Sequence, residues 1–406
     1  MDLLIVSQFF WPENFRINDL AWEMAERGHS VTVLTGKPNY PEGVIFSKFL
    51  ENPLAFDRLG RVRIVRTPIF ARRQSRLSLV LSYLSFVVSA TTVGTWRLRD
   101  QRFDTILVHQ TSPITVAIPG LFLRWLKHAP MFMWVLDPWP ETLLDLGLRS
   151  PPLIWFCEVL VRFIYRRCDR VLVQSRAFFP LVAAHLGHNT TIRYFPCWPE
   201  KIFTDRATFK EQFVLPQPET FRIVFAGNVG TLQGLFAMLD AAELLREQPL
   251  RWFIVGAGRA IQSLRSEIVS RRLVENVLLL GRHPLEAMPS LFAQADALLV
   301  SLRSGPVWDK TIPGKVQSYL ASGRPVLAML NGEGARVIVE SGAGLVGPAE
   351  DGNALARNVQ KLMSLPANER VAMGLAGQLY CAREFHRDTQ ISFLEGWIKE
   401  VADSDA

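Results

Sequence analysis

Only four of the 406 residues are cysteine, and Cys157, Cys168, Cys197 and Cys381 stand too far apart to form a CxxC pair. No histidine lies beside them at metal-ligand spacing, so neither a zinc site nor a disulfide framework is implied. They read as buried thiols of a reducing cytoplasm. No acidic cluster follows a strand-like run, so no metal is expected. Long basic runs and the aromatic-plus-basic signature of RNA binders are missing too, which argues against nucleic acid as a partner. The opening stretch MDLLIVSQFF has no basic leader and runs straight into a strand pattern, so no signal peptide is expected. Disorder is excluded by composition, because 49% of residues are hydrophobic and only 20% charged. What remains is a basic protein, with net charge +7 and an isoelectric point near 9.4, suited to phosphate-bearing ligands or an anionic membrane surface.

A chain of this length exceeds one ordinary core, so two domains are expected. Apolar runs at 3–7, 31–35, 63–66, 105–109, 131–136, 170–174 and 192–195 alternate with helical patterns. A second series falls at 222–226, 251–255, 277–280, 297–301, 326–330 and 344–346. Between them, 196–218 is rich in proline and charge and reads as a linker holding a short helix. Continuous apolar strands alternating with helices predict parallel sheets covered on both faces. The fold class is therefore α/β, with two doubly wound Rossmann-like domains over 1–198 and 199–380 facing a cleft. A helical tail, 381–406, is expected to return to the first domain, its stripe made by Phe385, Ile391, Leu394, Trp397 and Ile398. Ligands of such sheets sit beyond the carboxyl ends of the strands.

The stretch 312–337, IPGKVQSYLASGRPVLAMLNGEGARV, carries the clearest chemistry. Pro313 and Gly314 open a helix with Lys315 in its first turn, and Gly332, Glu333, Gly334 and Ala335 open the next. Helix N-termini offer free N–H groups and a positive dipole end to an anion. Glycine turns recur at strand ends: AGNVGTLQG with Asn228 and Gln233, then VGAG, then Gly281-Arg282. Each alone is equally an ordinary strand-to-helix turn; their recurrence in one domain suggests a nucleotide. In the first domain, LDPWPE presents Asp137 and Glu141 at a strand end. They suit sugar hydroxyls or a general base, and equally a helix cap and first-turn acid. His109 ends another strand, where a lone histidine is usually structural. KPNYP, with Asn39 and Tyr40, is either a cleft loop or an ordinary proline-rich one.

One segment tests the expectation of a soluble chain. Residues 77–96 carry no formal charge and reach spanning length. Ser78, Ser82, Ser85 and Ser89 form a hydroxyl stripe, with Arg72, Arg73 and Arg76 before the run and Arg97, Arg99 and Arg102 after it. A helix lying in a membrane interface and a helix buried in its own domain both fit; a span does not.

Taken in order, PENFRINDLAWEMAERGHSVTVLTGKPNYP, LDPWPETLLDLG, AGNVGTLQGL, VGAG and IPGKVQSYLASGRPVLAMLNGEGA resemble the retaining glycosyltransferases of the GT-B fold, family four, in the branch that builds bacterial surface polysaccharides such as O-antigen, capsule and exopolysaccharide. The resemblance covers nearly the whole chain. It implies a UDP-sugar donor, an N-acetylated deoxyhexosamine being one candidate, held by the second domain. It further implies a polyprenyl-diphosphate-linked glycan acceptor, retention without a required metal or other cofactor, and a place on the inner face of the plasma membrane. Arg16, Asn18, Asn39 and Tyr40 fall on the acceptor side, with Asp137 and Glu141 as catalytic candidates. Gly281 and Arg282 fall where the base is held, and Lys315 on the leaving diphosphate. Gly314, Glu333, Gly334 and Ala335 complete the donor side. The chain departs from the family twice. Asn228 and Gln233 stand where an Arg and a Lys are usual, and Lys310 and Ser318 where two glutamates are usual. Asp309 and Glu333 are the candidate replacements. A UDP-sugar epimerase of the same plan, or a partner subunit without activity, are the rival readings.

Overall fold

The computed structural model describes all residues except 42, 72–75, 146, 188–189, 205–212, 218 and 405–406, together with the side chains of 76, 77 and 404. Arg72, Arg73, the Arg76 side chain and Pro218 thus lie outside the described residues. The chain divides into two compact units, Met1–Pro196 with Asp388–Ala406, and Cys197–Arg387.

The first unit holds an eight-stranded sheet built from β1 (Asp2–Val6), β2 (Ser30–Gly36), β3 (Arg58–Leu59), β4 (Val62–Thr67), β5 (Thr105–Gln110), β6 (Met131–Val135), β7 (Arg170–Val173) and β8 (Thr191–Tyr194). Their order is β3-β4-β2-β1-β5-β6-β7-β8, parallel except for the β3–β4 hairpin. That hairpin is missing from the sequence reading; it is two residues long and turns at Gly60 with φ +57. Every residue of β5 and β6 is buried, as sheets covered on both faces require. The first unit also carries α1 (Arg16–Glu26), α2 (Arg76–Ser89), α3 (Ala117–Lys127), α4 (Glu141–Asp145) and α5 (Pro151–Tyr165).

The helical run Ser78–Arg97 is long and apolar enough to cross a membrane, yet one side of it belongs to this unit's core. Phe86 and Ala90 are fully buried, Gln8 donates to Ser82 Oγ, and Phe70 N–H donates to Ser85 Oγ. Pulling that side into lipid would empty the core beneath it, so the run lies along the unit.

The second unit holds β9 (Phe221–Ala226), β10 (Leu250–Val255), β11 (Val277–Gly281), β12 (Ala297–Ser301), β13 (Val326–Met329) and β14 (Gly344–Gly347), all parallel, in the order β11-β10-β9-β12-β13-β14. Alternate residues of β9 feed opposite cores: Val224 and Ala226 on one face, Ile223 and Phe225 on the other. Both units are therefore doubly wound α/β structures. Here α6 (Gly314–Ser322) ends at Gly323, whose φ of +72 caps it, and α7 (Gly332–Ser341) follows β13. The GEG stretch, expected to open a helix, is the first turn of α7. A β-carbon at Gly332 would run into the Asp309 carbonyl.

The expected single tail is two helices, α8 (Ala367–Glu384) and α9 (Arg387–Ser404). The return to the first unit falls at 387–388 and not at 381, because Tyr380, Cys381 and Phe385 still belong to the second unit's core. Within the first unit, α9 is fixed by Glu395, which accepts from Arg27 at 2.8 Å and pairs with His29 at 2.7 Å. All four cysteines are free and buried, and burial pushes the Cys381 thiol up to about 12.

Candidate functional site

In the second sheet the strand order reverses between β9 and β12, the place where such sheets open a crevice for ligand. The loop after β9 contains Gly227, Asn228 and Gly230. Gly227 has φ +136, and its missing side chain makes room for Lys315, whose Cε would stand 2.6 Å from a β-carbon there. Lys315 lies in the first turn of α6 with Nζ 3.8 Å from the centroid of the Phe225 ring. Among the described residues no carboxylate pairs with it. Burial pushes its amine down to about 7. A cation is unfavourable at a helix N-terminus and on a desolvated site, unless an anion joins it there.

Gln233 Oε1 accepts from Gly230 N–H at 2.9 Å, and Ser301 Oγ donates to the Gln233 carbonyl at 2.6 Å. The loop is thereby closed while Gln233 keeps its amide NH2 to donate. Asn228 is exposed, as are Gly281 (φ +75) and Arg282 at the end of β11. Gly314 faces open space. The VGAG glycines have a local cause: β-carbons at Gly256 and Gly258 would strike the carbonyls of Gly227 and Val229. They let two loops touch, and a ligand is not needed to explain them.

The two candidate replacement acids are occupied. Glu333 is buried and bonds Arg336 twice, at 2.9 and 2.7 Å. Asp309 accepts from Ser304 Oγ at 2.9 Å and from Gly305 N–H at 3.3 Å. Gly334 packs its backbone on Leu330 and Pro313, and Ala335 lies beside it on α7.

In the first sheet the order reverses between β1 and β5. The loop after β1 is organised by Glu13, which the sequence reading passes over. Its buried carboxylate accepts N–H bonds from Phe10 at 3.1 Å, Asn39 at 2.8 Å and Tyr40 at 2.7 Å. Burial pushes its pKa up to about 7, against the pull of those three donors and of Arg66. The only hint in the sequence is an acid two residues after an aromatic and one after a proline, which is weak.

Asn18 also serves the loop, accepting from Trp11 N–H and donating to the Glu13 carbonyl. Arg16 opens α1. Tyr40 packs at a tilt against Phe9 and Phe15, its ring centroid 5.3 Å from each, making an aromatic surface at the strand ends. Beneath it, His109 Nδ1 lies 3.0 Å from Ser7 Oγ, whose proton goes to the Phe9 carbonyl. The imidazole must therefore be the donor. Burial pushes its pKa down to about 3, leaving it neutral with Nε2 buried and unpartnered among the described residues.

Asp137 and Glu141, suggested together by sequence, have separate surroundings. Asp137 Oδ2 accepts from Ser112 N–H at 2.9 Å, and burial raises its pKa against that bond. Glu141 opens α4 with Oε1 3.9 Å from His185 and Oε2 buried without a partner among the described residues. No group of acids, histidines and cysteines among the described residues could hold a metal ion.

Comparison with known proteins fits this geometry. Residues 14–198 match the family described as Glycosyl transferase 4-like domain, and residues 220–364 match Glycosyl transferases group 1. Both halves of the chain thus match glycosyltransferase families, the second half that of group 1. Among curated relatives of this glycosyltransferase is the putative colanic acid biosynthesis glycosyl transferase WcaI of Escherichia coli K12. It is 25% identical over 339 residues, 80% of this chain and 82% of that one. The probable glycosyltransferase WbjE of Pseudomonas aeruginosa is 27% identical over 277 residues, covering 66% of this chain and 68% of the relative.

Solved structures share the GT-B architecture. Sucrose-phosphate synthase of Thermosynechococcus elongatus superposes with a TM-score of 0.75 at 16% identity, covering 99% of both chains. Anabaena Alr3699/HepE in complex with UDP and glucose gives 0.70 at 15% identity, over 98% of this chain and 100% of that one.

Within this glycosyltransferase a second carboxylate, besides Glu13, was hidden from the sequence. Ser318, at a position where the family resemblance leads one to expect glutamate, donates its hydroxyl to Glu200 Oε2. Glu200 is 118 residues away in sequence, so no spacing rule could find it. Lys310, at the other such position, donates to the Pro306 carbonyl at 2.9 Å.

Proposed function

We propose that the protein moves a sugar from a UDP-sugar to a lipid-linked glycan during bacterial surface-polysaccharide synthesis, with retention of anomeric configuration and without a metal. The observation that carries this is Lys315, a half-buried cation with no carboxylate partner among the described residues, placed at a helix N-terminus beside the Gly227 loop. When the bond from the anomeric carbon to the diphosphate breaks, the electron pair leaves with the diphosphate oxygen. A cation at a helix N-terminus there stabilises that charge more in the transition state than in the ground state. Asn228 and the Gln233 amide are the neutral donors for the phosphates, and Glu200, held by Ser318, is the acid on the donor side. The Tyr40 surface and Asp137, in the first unit, serve the acceptor. The names of the curated relatives support the polysaccharide context, and the UDP complexes of structural neighbours support the donor class.

A thermal-shift screen of nucleotide sugars on the whole chain, in EDTA and again in magnesium, tests this. UDP-sugars should raise the melting temperature equally in both. A ligand at a hundred times its Kd adds about 2.7 kcal/mol to stability. Strict loss of the shift on chelation would remove the metal-free reading, and no shift with any UDP-sugar would favour a partner subunit without activity. Turnover of a UDP-sugar in the absence of acceptor would favour the epimerase.

A further inference from the structure

The helix α2 is built inside out for a water-facing surface. Its hydroxyls turn inward, Ser82 being fully buried, while Val80, Leu81, Leu84 and Val88 are exposed. Two neighbouring helices of the first unit, α3 and α5, repeat the pattern. Phe122, Trp125 and Leu126 are exposed on α3, and Leu153, Trp155, Phe156, Val159 and Phe163 on α5. Contacts run from α2 to α3 and from α3 to α5, so these residues share one continuous face. Three tryptophans stand on it or at its end, Trp96, Trp125 and Trp155, at 64%, 69% and 65% exposure.

The charge is as one-sided as the apolar surface. The three helices contain a single acidic residue, Glu158, while Lys127, Arg162, Arg166 and Arg167 lie on or directly beyond the ends of α3 and α5; Arg99, further on from α2, pairs with Asp100 at 3.3 Å. Between α3 and α5 is a cavity of about 670 Å³, lined by Leu121, Phe122, Trp125 and Phe163, with Arg124, Arg167 and His128 also on its wall. Arg124 is held by Asp169, but Arg167 lies over the Phe163 ring at 3.7 Å and remains exposed. The cavity opens where Pro130 leads into β6 and Asp169 into β7. That is the amino-terminal edge of the sheet, opposite the strand ends that carry Tyr40 and Asp137.

We propose that this face seats the protein on a bilayer containing anionic phospholipid, and that the cavity takes one lipid of that bilayer. Its acyl chain lies against Phe122, Trp125 and Phe163, and its phosphate lies by Arg167. Contiguous apolar surface of this kind is uncommon on a protein that faces only water. Tryptophan with arginine and lysine is the composition that sits at the headgroup level of a membrane. Charge complementarity selects anionic lipid. The proposal rests on the lipid-linked acceptor for its purpose, since a seated enzyme meets such a substrate in two dimensions. The sheet-edge position separates the lipid cavity from the acceptor site.

The test is co-sedimentation of the whole chain with vesicles of phosphatidylglycerol and phosphatidylethanolamine, and with vesicles of phosphatidylcholine alone. The protein should bind the first at low salt, weaken as salt rises, and bind the second at least tenfold less. Trp125→Glu with Trp155→Glu should cut partition into anionic vesicles at least tenfold, and Leu84→Glu should also weaken it. These positions are exposed, so the melting temperature and its rise with UDP should not change. Unchanged partition of the double variant, or equal binding to phosphatidylcholine, would overturn the proposal. So would a dimer that the double variant splits while vesicle binding persists, which would make the face a contact between copies. Vesicle binding without any UDP shift would instead contradict the transferase reading and leave this one standing.

Discussion

Lys315 lies across Gly227, with Cε 2.6 Å from where a β-carbon would be. The glycine is thus shaped for the lysine as well as for its own φ of +136. Gly227→Ala should displace the ammonium and strain the loop together. UDP affinity should fall at least tenfold, and stability by about 1–3 kcal/mol. Calorimetric titration and a denaturant melt read the two effects separately. Unchanged UDP affinity in a folded variant would show that the loop and the lysine do not form the phosphate site.

The depressed amine gives a pH signature. Burial holds Lys315 near 7 when no anion is present, and a bound diphosphate would raise it, so binding takes up a proton. The sign follows from linkage: affinity for UDP should be greatest below pH 7 and fall by up to about tenfold per unit as pH rises from 7 toward 9. Titrations over that range, in buffers of different ionisation enthalpy, would show the uptake. A flat affinity would mean that Lys315 is already fully charged in the empty site or does not meet the diphosphate.

Asp137 keeps its local bond in Asp137→Asn, because an amide oxygen can still accept from Ser112 N–H. The fold should therefore hold, while turnover at saturating donor falls about a hundredfold, as loss of a general base would cause. UDP affinity should stay within a factor of two. Lost affinity with unchanged turnover would move Asp137 from the acceptor to the donor.

Glu13 is a structural counterpart to these sites. Glu13→Ala strands the buried N–H donors of Phe10 and Asn39 and the part-buried one of Tyr40, and each unmet buried group costs about 1–3 kcal/mol. Glu13→Gln should recover part of the loss, since its oxygen can still accept. A urea melt in which alanine costs less than 1 kcal/mol would mean that the loops reorganise freely without it.

The strands were legible because both sheets are buried on both faces, which leaves continuous apolar runs such as TILVHQ and MFMWV. The β3–β4 hairpin escaped because two residues carry no periodicity. The place of Lys315 in the first turn of α6 was legible from Pro313 and Gly314, a local pattern. Glu200 beside Ser318 was not, being a contact made by the chain returning from a distant segment. The same limit hid Glu13, whose three partners come from two separate loops. Glu333 shows the reverse: it is well placed in sequence at a helix start, yet Arg336 one turn later occupies it. The serine stripe of α2 was visible as a pattern, but only the structure shows that it faces inward.

In the proposed reaction Lys315 stabilises the departing diphosphate. Steady-state transfer by purified Lys315→Ala at saturating donor tests it most directly. Loss of such a group costs about 3 kcal/mol, on the order of a hundredfold or more in rate, with the fold intact. A variant whose rate stays within a few-fold of the parent would place the diphosphate elsewhere.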